Sequence, residues 1–202
     1  EGNFLFPFFW QKLLFMNIPV LFTAHVSLYN DNDIFDCYDV KRDAFSYTGR
    51  SPLIAHPPCR LFSRLRMLSS ASPIEKKCAY FALARIRQFG GILEHPRSST
   101  LWLNGNFKLD GSVDEYGGFL RSVNLSWFGF PAQKKTMLYF VGIQPGSLPP
   151  FPMSLDAITH VISSSGNNGK KELSAMYRSQ TPQLMIDYFL EVMAIINDNK
   201  KY

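Results

Sequence analysis

A helix with well-marked ends lies between two short apolar runs, and this order constrains the fold more than any other feature of the chain. The helix is predicted for residues 72–89, with Ser72 as its N-cap, Glu75 completing a capping box and two glycines after its last residue. The apolar runs at residues 52–55 and 92–94 are typical of buried parallel strands. A strand–helix–strand unit is almost always right-handed and makes its two strands parallel. We therefore predict an α/β fold with a mostly parallel central sheet.

Five further segments complete the predicted fold. Residues 18–22 form another apolar run and predict a strand. Residues 123–127 and 137–143 predict two strands joined as a hairpin. An apolar stripe predicts a helix at residues 182–197, and the acidic stretch at residues 31–43 is interpreted as a loop. Together these segments predict one sheet closed by a C-terminal helix.

Length and composition favour a single domain without a membrane span. At 202 residues the chain is long enough for one ordinary domain, which we assign to residues 16–202. Residues 1–15 are dense in aromatic side chains, and we interpret them as an extension upstream of Met16. No apolar stretch reaches the roughly 18 residues that a bilayer requires. The three cysteines form no CxxC pair, so we expect a cytoplasmic protein with neither a disulfide framework nor a metal site.

The net charge of +5 is concentrated in one segment. Residues 60–97 hold eight basic and two acidic residues, whereas the rest of the chain is nearly balanced. A basic patch favours a polyanionic partner such as nucleic acid. A solvated helix face explains such a cluster equally well, so the charge by itself leaves both interpretations open.

Two reactive side chains directly follow predicted strands. Cys59 ends the run AHPPC and Glu94 ends the run ILE, and ligands of open α/β sheets bind beyond the carboxyl ends of the strands. If the two strands are neighbours, Cys59 and Glu94 converge on one site. The nearby basic side chains of Arg60, Arg64 and Arg66 would favour the thiolate of the cysteine. The alternative is that Cys59 is a small buried apolar residue.

A cysteine nucleophile beside a carboxyl group suits attack on a pyrimidine base. The sulfur adds to ring carbon 6 while the acid protonates or holds ring nitrogen 3, which makes carbon 5 nucleophilic. We therefore predict that Cys59 is a nucleophile and that Glu94 engages the ring.

Three segments resemble motifs of the DNA cytosine-5 methyltransferases. The run Pro57-Pro58-Cys59 resembles the Pro-Cys motif of this family, and Glu94-His95-Pro96 resembles a variant of its Glu-Asn-Val motif. Residues 128–135 (FGFPAQKK) and 138–142 (LYFVG) resemble its Gly-x-Pro-Gln-x-Arg-x-Arg segment and the strand that follows, with Ala132 as an extra residue. The three pieces occur in the family's order. The strings AHPPCR, GGILEHP and STLW also resemble small phage and prophage proteins.

The resemblance covers residues 19–142 and implies a single Rossmann-like domain that methylates DNA with S-adenosylmethionine as the donor. It implies that Cys59 is the nucleophile and that Glu94 recognises the cytosine ring. The candidate contacts to the base and its phosphates are Arg60, Arg64, Arg66, His95, Arg97, Gln133 and Lys135. The candidate contacts to the ribose or adenine of the donor are Asp39 and Asp43.

The donor site departs from the pattern of the family. The family has a glycine-rich loop after its first strand, whereas this chain continues with Thr23-Ala24-His25-Val26 and has no glycine there. A competing hypothesis is therefore a non-catalytic nucleic-acid-binding or phage defence-evasion protein that kept the sheet and lost the donor site. DNA, RNA and a free nucleotide all stay open as substrates.

Overall fold

The computed structural model describes residues 17–63, 66–162 and 169–199. The predicted extension at residues 1–15 and the candidate phosphate ligand Arg64 lie outside these described residues. Within the described ranges, no helix combines the length and the apolar character needed to cross a membrane.

Strands and helical segments follow one another along the described chain. The strands are β1 (Ile18–Leu21), β2 (Phe35–Tyr38), β3 (Leu53–Ala55), β4 (Gly91–Pro96), β5 (Gly118–Asn124), β6 (Lys135–Val141), β7 (His160–Val161) and β8 (Lys171–Glu172). The α-helices are α1 (Ile74–Phe89), α2 (Leu101–Asn104), α3 (Ala175–Arg178) and α4 (Gln183–Asn199). Short 3-10 helices lie at Leu28–Asp31, Ala44–Ser46, Arg60–Phe62, Arg66–Leu68, Leu125–Phe128 and Pro145–Ser147.

Six of the strands form one sheet in the order β2-β1-β3-β4-β6-β5. The first four pair in parallel, whereas β6 runs antiparallel to both β4 and β5. The predicted α/β fold with a mostly parallel central sheet is therefore confirmed. From β1 the chain first moves outward to β2 and later returns to β3 on the other side of β1. Such a reversal of strand order opens a crevice at the carboxyl ends of the strands, where ligands of α/β proteins bind.

Helices cover both faces of this sheet. Side chains alternate between the faces along a strand, so within β1 Val20 joins one apolar core and Leu21 joins the other. The first core is closed by α4, where Phe189 is fully buried. The second is closed by α1, where Ile86 is fully buried. The sheet is thus the middle layer of three, and its strand ends are the places left open to ligands.

The predicted strand–helix–strand unit is confirmed as β3, α1 and β4, and the predicted hairpin and closing helix are confirmed as β5–β6 and α4. α1 begins at Ile74, whose N–H donates to Ser72 Oγ at 3.4 Å. The predicted capping box is wrong, because the Glu75 carboxylate accepts a hydrogen bond from Arg60 Nε at 3.2 Å. Glu75 therefore ties the start of α1 to the segment after β3.

Two assignments from the sequence differ from the structure. The strand predicted at residues 123–127 lies earlier, as β5, because Asn124 Oδ1 accepts a hydrogen bond from the Ser126 N–H and caps the 3-10 helix Leu125–Phe128. The acidic stretch predicted as a loop contains the edge strand β2. Polar residues are compatible with that position, because an edge strand leaves one side open to solvent.

Gly91 allows β4 to approach β3, and replacing it is predicted to destabilise the fold. Its φ is +129°, and an added Cβ would lie 1.9 Å from the Leu53 carbonyl oxygen. We expect Gly91→Ala to lower the free energy of unfolding by about 2–5 kcal/mol, through backbone strain and overpacking against the main chain. Urea denaturation measures this change.

The matched control for this prediction is Gly146→Ala, because an added Cβ at Gly146 would meet no atom within 4 Å. We expect the control to stay within about 0.5 kcal/mol of the parent. Similar small effects in both variants would contradict the prediction.

Candidate active site at the carboxyl edge of the sheet

Two neighbouring strands bring Cys59 and Glu94 together. Ala55, the last residue of β3, lies opposite Leu93 of β4, so the residues that follow both positions share one edge of the sheet. From β3 the chain passes through two prolines to Cys59, which begins the 3-10 helix Arg60–Phe62. The charge of Glu94 acts on the Cys59 thiol. Both residues therefore lie at the same edge of the sheet.

Hydrogen-bond donors hold both oxygens of the Glu94 carboxylate. The Thr136 hydroxyl donates to Oε1, and His56 Nδ1 lies 3.4 Å from Oε2. Burial opposes ionisation of this group. The hydrogen bond from His56, the charge of Lys134 and the hydroxyl of Thr136 outweigh burial and lower the pKa of the carboxyl group to about 2. The Glu94 side chain is 14% exposed.

His56 links Glu94 to a buried tyrosine. His56 Nε2 lies 3.0 Å from the Tyr29 hydroxyl, and the imidazole stacks on Phe189 with ring centroids 6.1 Å apart. Burial, with the charge of Glu94, raises the pKa of Tyr29 well above its ordinary value. Tyr29 therefore keeps its proton, and the other ring nitrogen of His56, Nδ1, faces Glu94.

Cys59 is a thiol in the free protein. Burial and the charge of Glu94 raise its pKa, and Lys134 opposes them only in part. The sequence predicts that neighbouring arginines favour the thiolate, but burial and Glu94 prevail in the structure, where Arg60 binds Glu75 and the exposed Arg66 reaches the Ser63 carbonyl at 3.4 Å. A reaction at Cys59 therefore requires its proton to leave when the sulfur attacks.

The charge of Lys134 acts on Glu94, whereas Lys135, the predicted contact to the base, is exposed. Lys134 is half-buried, donates to the Arg178 carbonyl at 2.8 Å and lowers the pKa of Glu94 through its charge. Lys135 and Gln133 are exposed. Neighbouring residues of an extended chain face opposite ways. The extra residue Ala132, which is buried, therefore exchanges the directions in which Lys134 and Lys135 point. The insertion of Ala132 and the alternation of Lys134 with Thr136 are the sequence features from which the position of Lys134 could be predicted.

The predicted substrate ligand His95 is buried beneath the opposite face of the sheet. Its exposed fraction is 0%, and its ring meets Phe62 edge-on, with centroids 5.4 Å apart. Neither ring nitrogen has a hydrogen bond of acceptable geometry among the described residues, although the Pro58 carbonyl lies close by. Burial lowers the pKa of His95 to about 4. His95 is therefore a neutral core residue in this conformation, since it follows Glu94 and points the other way.

Two arginines of the basic segment are used inside the protein. Arg85 donates to the Gly49 carbonyl, and Arg87 Nη2 donates to the Gly105 carbonyl at 2.6 Å. Trp102 is buried too, with its indole N–H donating to the Pro96 carbonyl at 2.8 Å. The exposed basic side chains of the segment, among the described residues, are Arg60, Arg66, Lys76, Lys77 and Arg97. The surface open to a polyanion is therefore smaller than the sequence suggests.

The turn after β1 does not fit a nucleoside donor. Phe22 adopts a φ of +63°, a conformation that favours glycine, and its ring packs edge-on against Phe45 with centroids 6.1 Å apart. The bulky side chain of Phe22 therefore occupies the turn at which the cytosine-5 methyltransferases have a glycine-rich loop. The neighbouring Thr23 hydroxyl is buried and has no hydrogen-bond partner among the described residues.

The two candidate donor ligands are occupied within their own loop. Asp39 Oδ1 accepts from the N–H groups of Lys41 and Arg42 at 2.8 and 3.0 Å, and Oδ2 lies 3.0 Å from His25 Nδ1. Asp43 accepts from the Phe45 N–H at 3.0 Å and caps the 3-10 helix Ala44–Ser46. Both carboxylates thus have structural partners in their own loop, and Phe22 is the feature after β1 that does not fit S-adenosylmethionine as the resemblance implies.

A cavity of about 300 Å³ lies beside the start of α4. Its walls include Leu28, Phe128, Thr181 and Leu184. Leu28 adjoins Tyr29 in the chain, but neither Cys59 nor Glu94 lines the cavity. The described residues also contain no cluster of three or more side chains suited to hold a metal ion.

Comparison with known proteins identifies no family for this chain: no family model, curated protein or solved structure matches it. The likeness to the cytosine-5 methyltransferases therefore rests on the motifs alone.

The depressed pKa of Glu94 predicts a pH-dependent contribution to stability. A folded pKa of about 2 against an ordinary 4.5 means that the contribution is present above pH 4.5 and is lost as the pH falls toward 2. We expect Glu94→Gln to lower the free energy of unfolding by about 1–3 kcal/mol at pH 7, and the difference from the parent to shrink as the pH falls below 4.5.

Urea denaturation at several pH values measures this difference. The matched control is Glu191→Gln, an exposed position on α4, for which we expect a change within about 0.5 kcal/mol at pH 7. A gap between parent and Glu94→Gln that stays constant down to low pH would contradict the prediction.

Proposed function

We propose that the protein is a nucleobase-modifying enzyme that activates a pyrimidine through a transient covalent bond to Cys59. The observation that carries this proposal is the pairing of β3 with β4, which places Cys59 and Glu94 at the same edge of the sheet, with Thr136 and His56 within hydrogen-bond reach of the Glu94 carboxylate. Cys59 follows β3, the strand beside the reversal of strand order. A nucleophile, a held carboxylate and a cation in one partly buried place are the groups that such a reaction needs.

In the proposed reaction the Cys59 sulfur forms a bond to ring carbon 6. The electron pair of the C5–C6 double bond moves toward C4, and carbon 5 becomes nucleophilic. Glu94 binds the N3 edge of the ring, and Lys134 stabilises the negative charge that develops. The thiol proton passes to solvent, because Cys59 is protonated in the free protein.

The resemblance to the DNA cytosine-5 methyltransferases supports the same reaction type. DNA as the substrate and a Rossmann-like domain belong to this proposal, and the reversal of strand order beside β1 favours such a domain. S-adenosylmethionine would supply a methyl group to the activated carbon 5. Phe22 after β1 does not fit that donor, so the proposed reaction ends at the activated base.

A second candidate is a non-catalytic nucleic-acid-binding or phage defence-evasion protein. Phe22 at the turn after β1 favours it, because a bulky side chain stands where the resemblance implies a glycine-rich turn for the donor. The hydrogen bonds around Glu94 speak against it, because binding the nucleic-acid backbone needs cations rather than a buried carboxylate.

Hydrogen exchange at pyrimidine carbon 5 tests the proposal without any methyl donor. Reversible addition of sulfur to carbon 6 lets carbon 5 exchange its hydrogen with solvent, so single-stranded DNA or RNA in D2O gains deuterium. We expect exchange with the parent protein and a fall of at least about 100-fold in Cys59→Ser, because a serine hydroxyl is a much weaker nucleophile than a thiolate. Mass spectrometry of the released nucleosides measures the exchange.

The matched control is Cys37→Ser, another half-buried cysteine in the same sheet, which is expected to retain the exchange. The second candidate predicts retarded migration of the oligonucleotide in a gel and no exchange. Absence of exchange by the parent protein on DNA, RNA and free nucleotides would overturn the proposed enzyme.

A further inference from the structure

We infer that the exposed face of α1 binds a single-stranded segment of nucleic acid, with bases stacked on Tyr80 and Tyr116, and this inference rests on the proposed function for the kind of partner. A groove of about 500 Å³ lies where α1 meets the loop before β5. It is on the side of the sheet that α1 covers, opposite the side covered by α4. The residues that line it are Tyr80, Leu83, Ala84, Arg87, Gln88 and Tyr116.

The ring of Tyr116 is held in place by its neighbours and is still open to a ligand. The Tyr116 N–H donates to Asp114 Oδ1 at 3.0 Å, and the guanidinium carbon of Arg87 lies 4.2 Å from the centroid of the ring. A cation over one face of an aromatic ring is attracted to it. Arg87 is itself anchored, because its Nη2 donates to the Gly105 carbonyl at 2.6 Å. Tyr116 remains 44% exposed, so it offers a fixed surface on which a base can stack.

Tyr80 connects this groove to the candidate active site. Its ring meets the ring of Phe62 edge-on, with centroids 5.9 Å apart. Phe62 is the last residue of the 3-10 helix that Cys59 begins, and Arg60 of the same 3-10 helix binds Glu75 at the start of α1. The helix α1 therefore starts beside the edge of the sheet that holds Cys59. A nucleic-acid chain that leaves Cys59 along α1 meets Tyr80, which is 41% exposed, before the rest of the groove.

A row of exposed side chains on α1 suits a chain of nucleotides. Residues four apart lie above one another on a helix, and the four members of this row are all exposed. They are Lys76, Tyr80, Ala84 and Gln88. At 1.5 Å per residue the row is about 18 Å long, which suits an extended chain better than one small molecule. An ammonium group suits a phosphate, a tyrosine ring suits a stacked base, and an amide, which donates and accepts, suits the edge of any base.

The charge of this face favours a polyanion as the occupant. Lys76 and Lys77 form no ion pair within the ranges that the structure describes. The acidic side chain of α1, Glu75, is bound by Arg60, and the residues that line the groove include no carboxylate. A solvated helix face would explain the lysines but not the two exposed tyrosines beside them. A duplex would satisfy the lysines but keeps its bases away from the tyrosines, so lysines and tyrosines together favour a single strand.

Fluorescence anisotropy with labelled oligonucleotides of mixed sequence, as DNA and as RNA, tests the inference on the full chain. We expect single strands to bind more tightly than the duplex of the same sequence. Tyr80→Ala and Tyr116→Ala are each expected to weaken binding of the single strand by about 5- to 100-fold, because the stacking of one base is lost. Tyr80→Phe keeps the ring and is expected to bind like the parent.

The matched control is Tyr177→Ala, which removes an equally exposed tyrosine outside the groove. Tyr177 is 41% exposed and packs against Phe130, with ring centroids 5.7 Å apart. We expect this variant to bind like the parent.

A photocrosslink to the parent protein gives a second measurement that does not depend on the folding of a variant. An oligonucleotide that carries 5-iodouracil reacts under ultraviolet light with an aromatic ring stacked on the base. Mass spectrometry of the digested protein then identifies the residue. We expect crosslinks to Tyr80 or Tyr116.

Unchanged affinity in both alanine variants, an equal loss in Tyr177→Ala, tighter binding of the duplex, or crosslinks confined to residues outside the groove would each overturn the inference. Binding that depends on the two tyrosines, without hydrogen exchange at carbon 5, would support the inference and overturn the proposed enzyme. Exchange with free nucleotides but no binding of DNA or RNA would overturn the inference and leave the proposed enzyme standing.

Discussion

The parallel pairing of β3 with β4 is the constraint on which the rest of the structure depends. The helix α1 connects the two strands, and a glycine without a side chain lets their backbones approach at Gly91. Because parallel strands end at the same edge, the pairing decides that Cys59 and Glu94 lie at one edge of the sheet. Any register that moved one of these strands would separate the nucleophile from the carboxylate.

The partly buried carboxylate of Glu94 requires hydrogen-bond and charge partners, and distant parts of the chain provide them. His56 comes from the segment after β3, Thr136 from β6, and Lys134 from the loop before β6. Tyr29 supports His56 from the opposite side of the strand-order reversal. The site therefore couples three neighbouring strands, and the state of Glu94 depends on their common packing rather than on its own segment.

The two halves of the site differ in what they are suited to bind. At the ends of β3 and β4 the side chains are of the types that pyrimidine activation needs. At the ends of β1 and β2 an aromatic ring and two hydrogen-bonded aspartates occupy the region that the family uses for its donor. This contrast is the reason to test base activation separately from methyl transfer.

The sequence by itself determined β1, β3, β4, β6, α1, the closing helix α4 and the mostly parallel sheet, because apolar periodicity and helix-end signals are local. Only the tertiary structure decided that the charge of Lys134 acts on Glu94 while Lys135 is exposed, that His95 is buried, and that Arg60 and Arg87 bind Glu75 and the Gly105 carbonyl. These outcomes depend on strand register and on partners far along the chain. A register shift of one residue turns a side chain to the opposite face of the sheet. Because Ala132 interrupts the local pattern, the sequence by itself does not reveal this register.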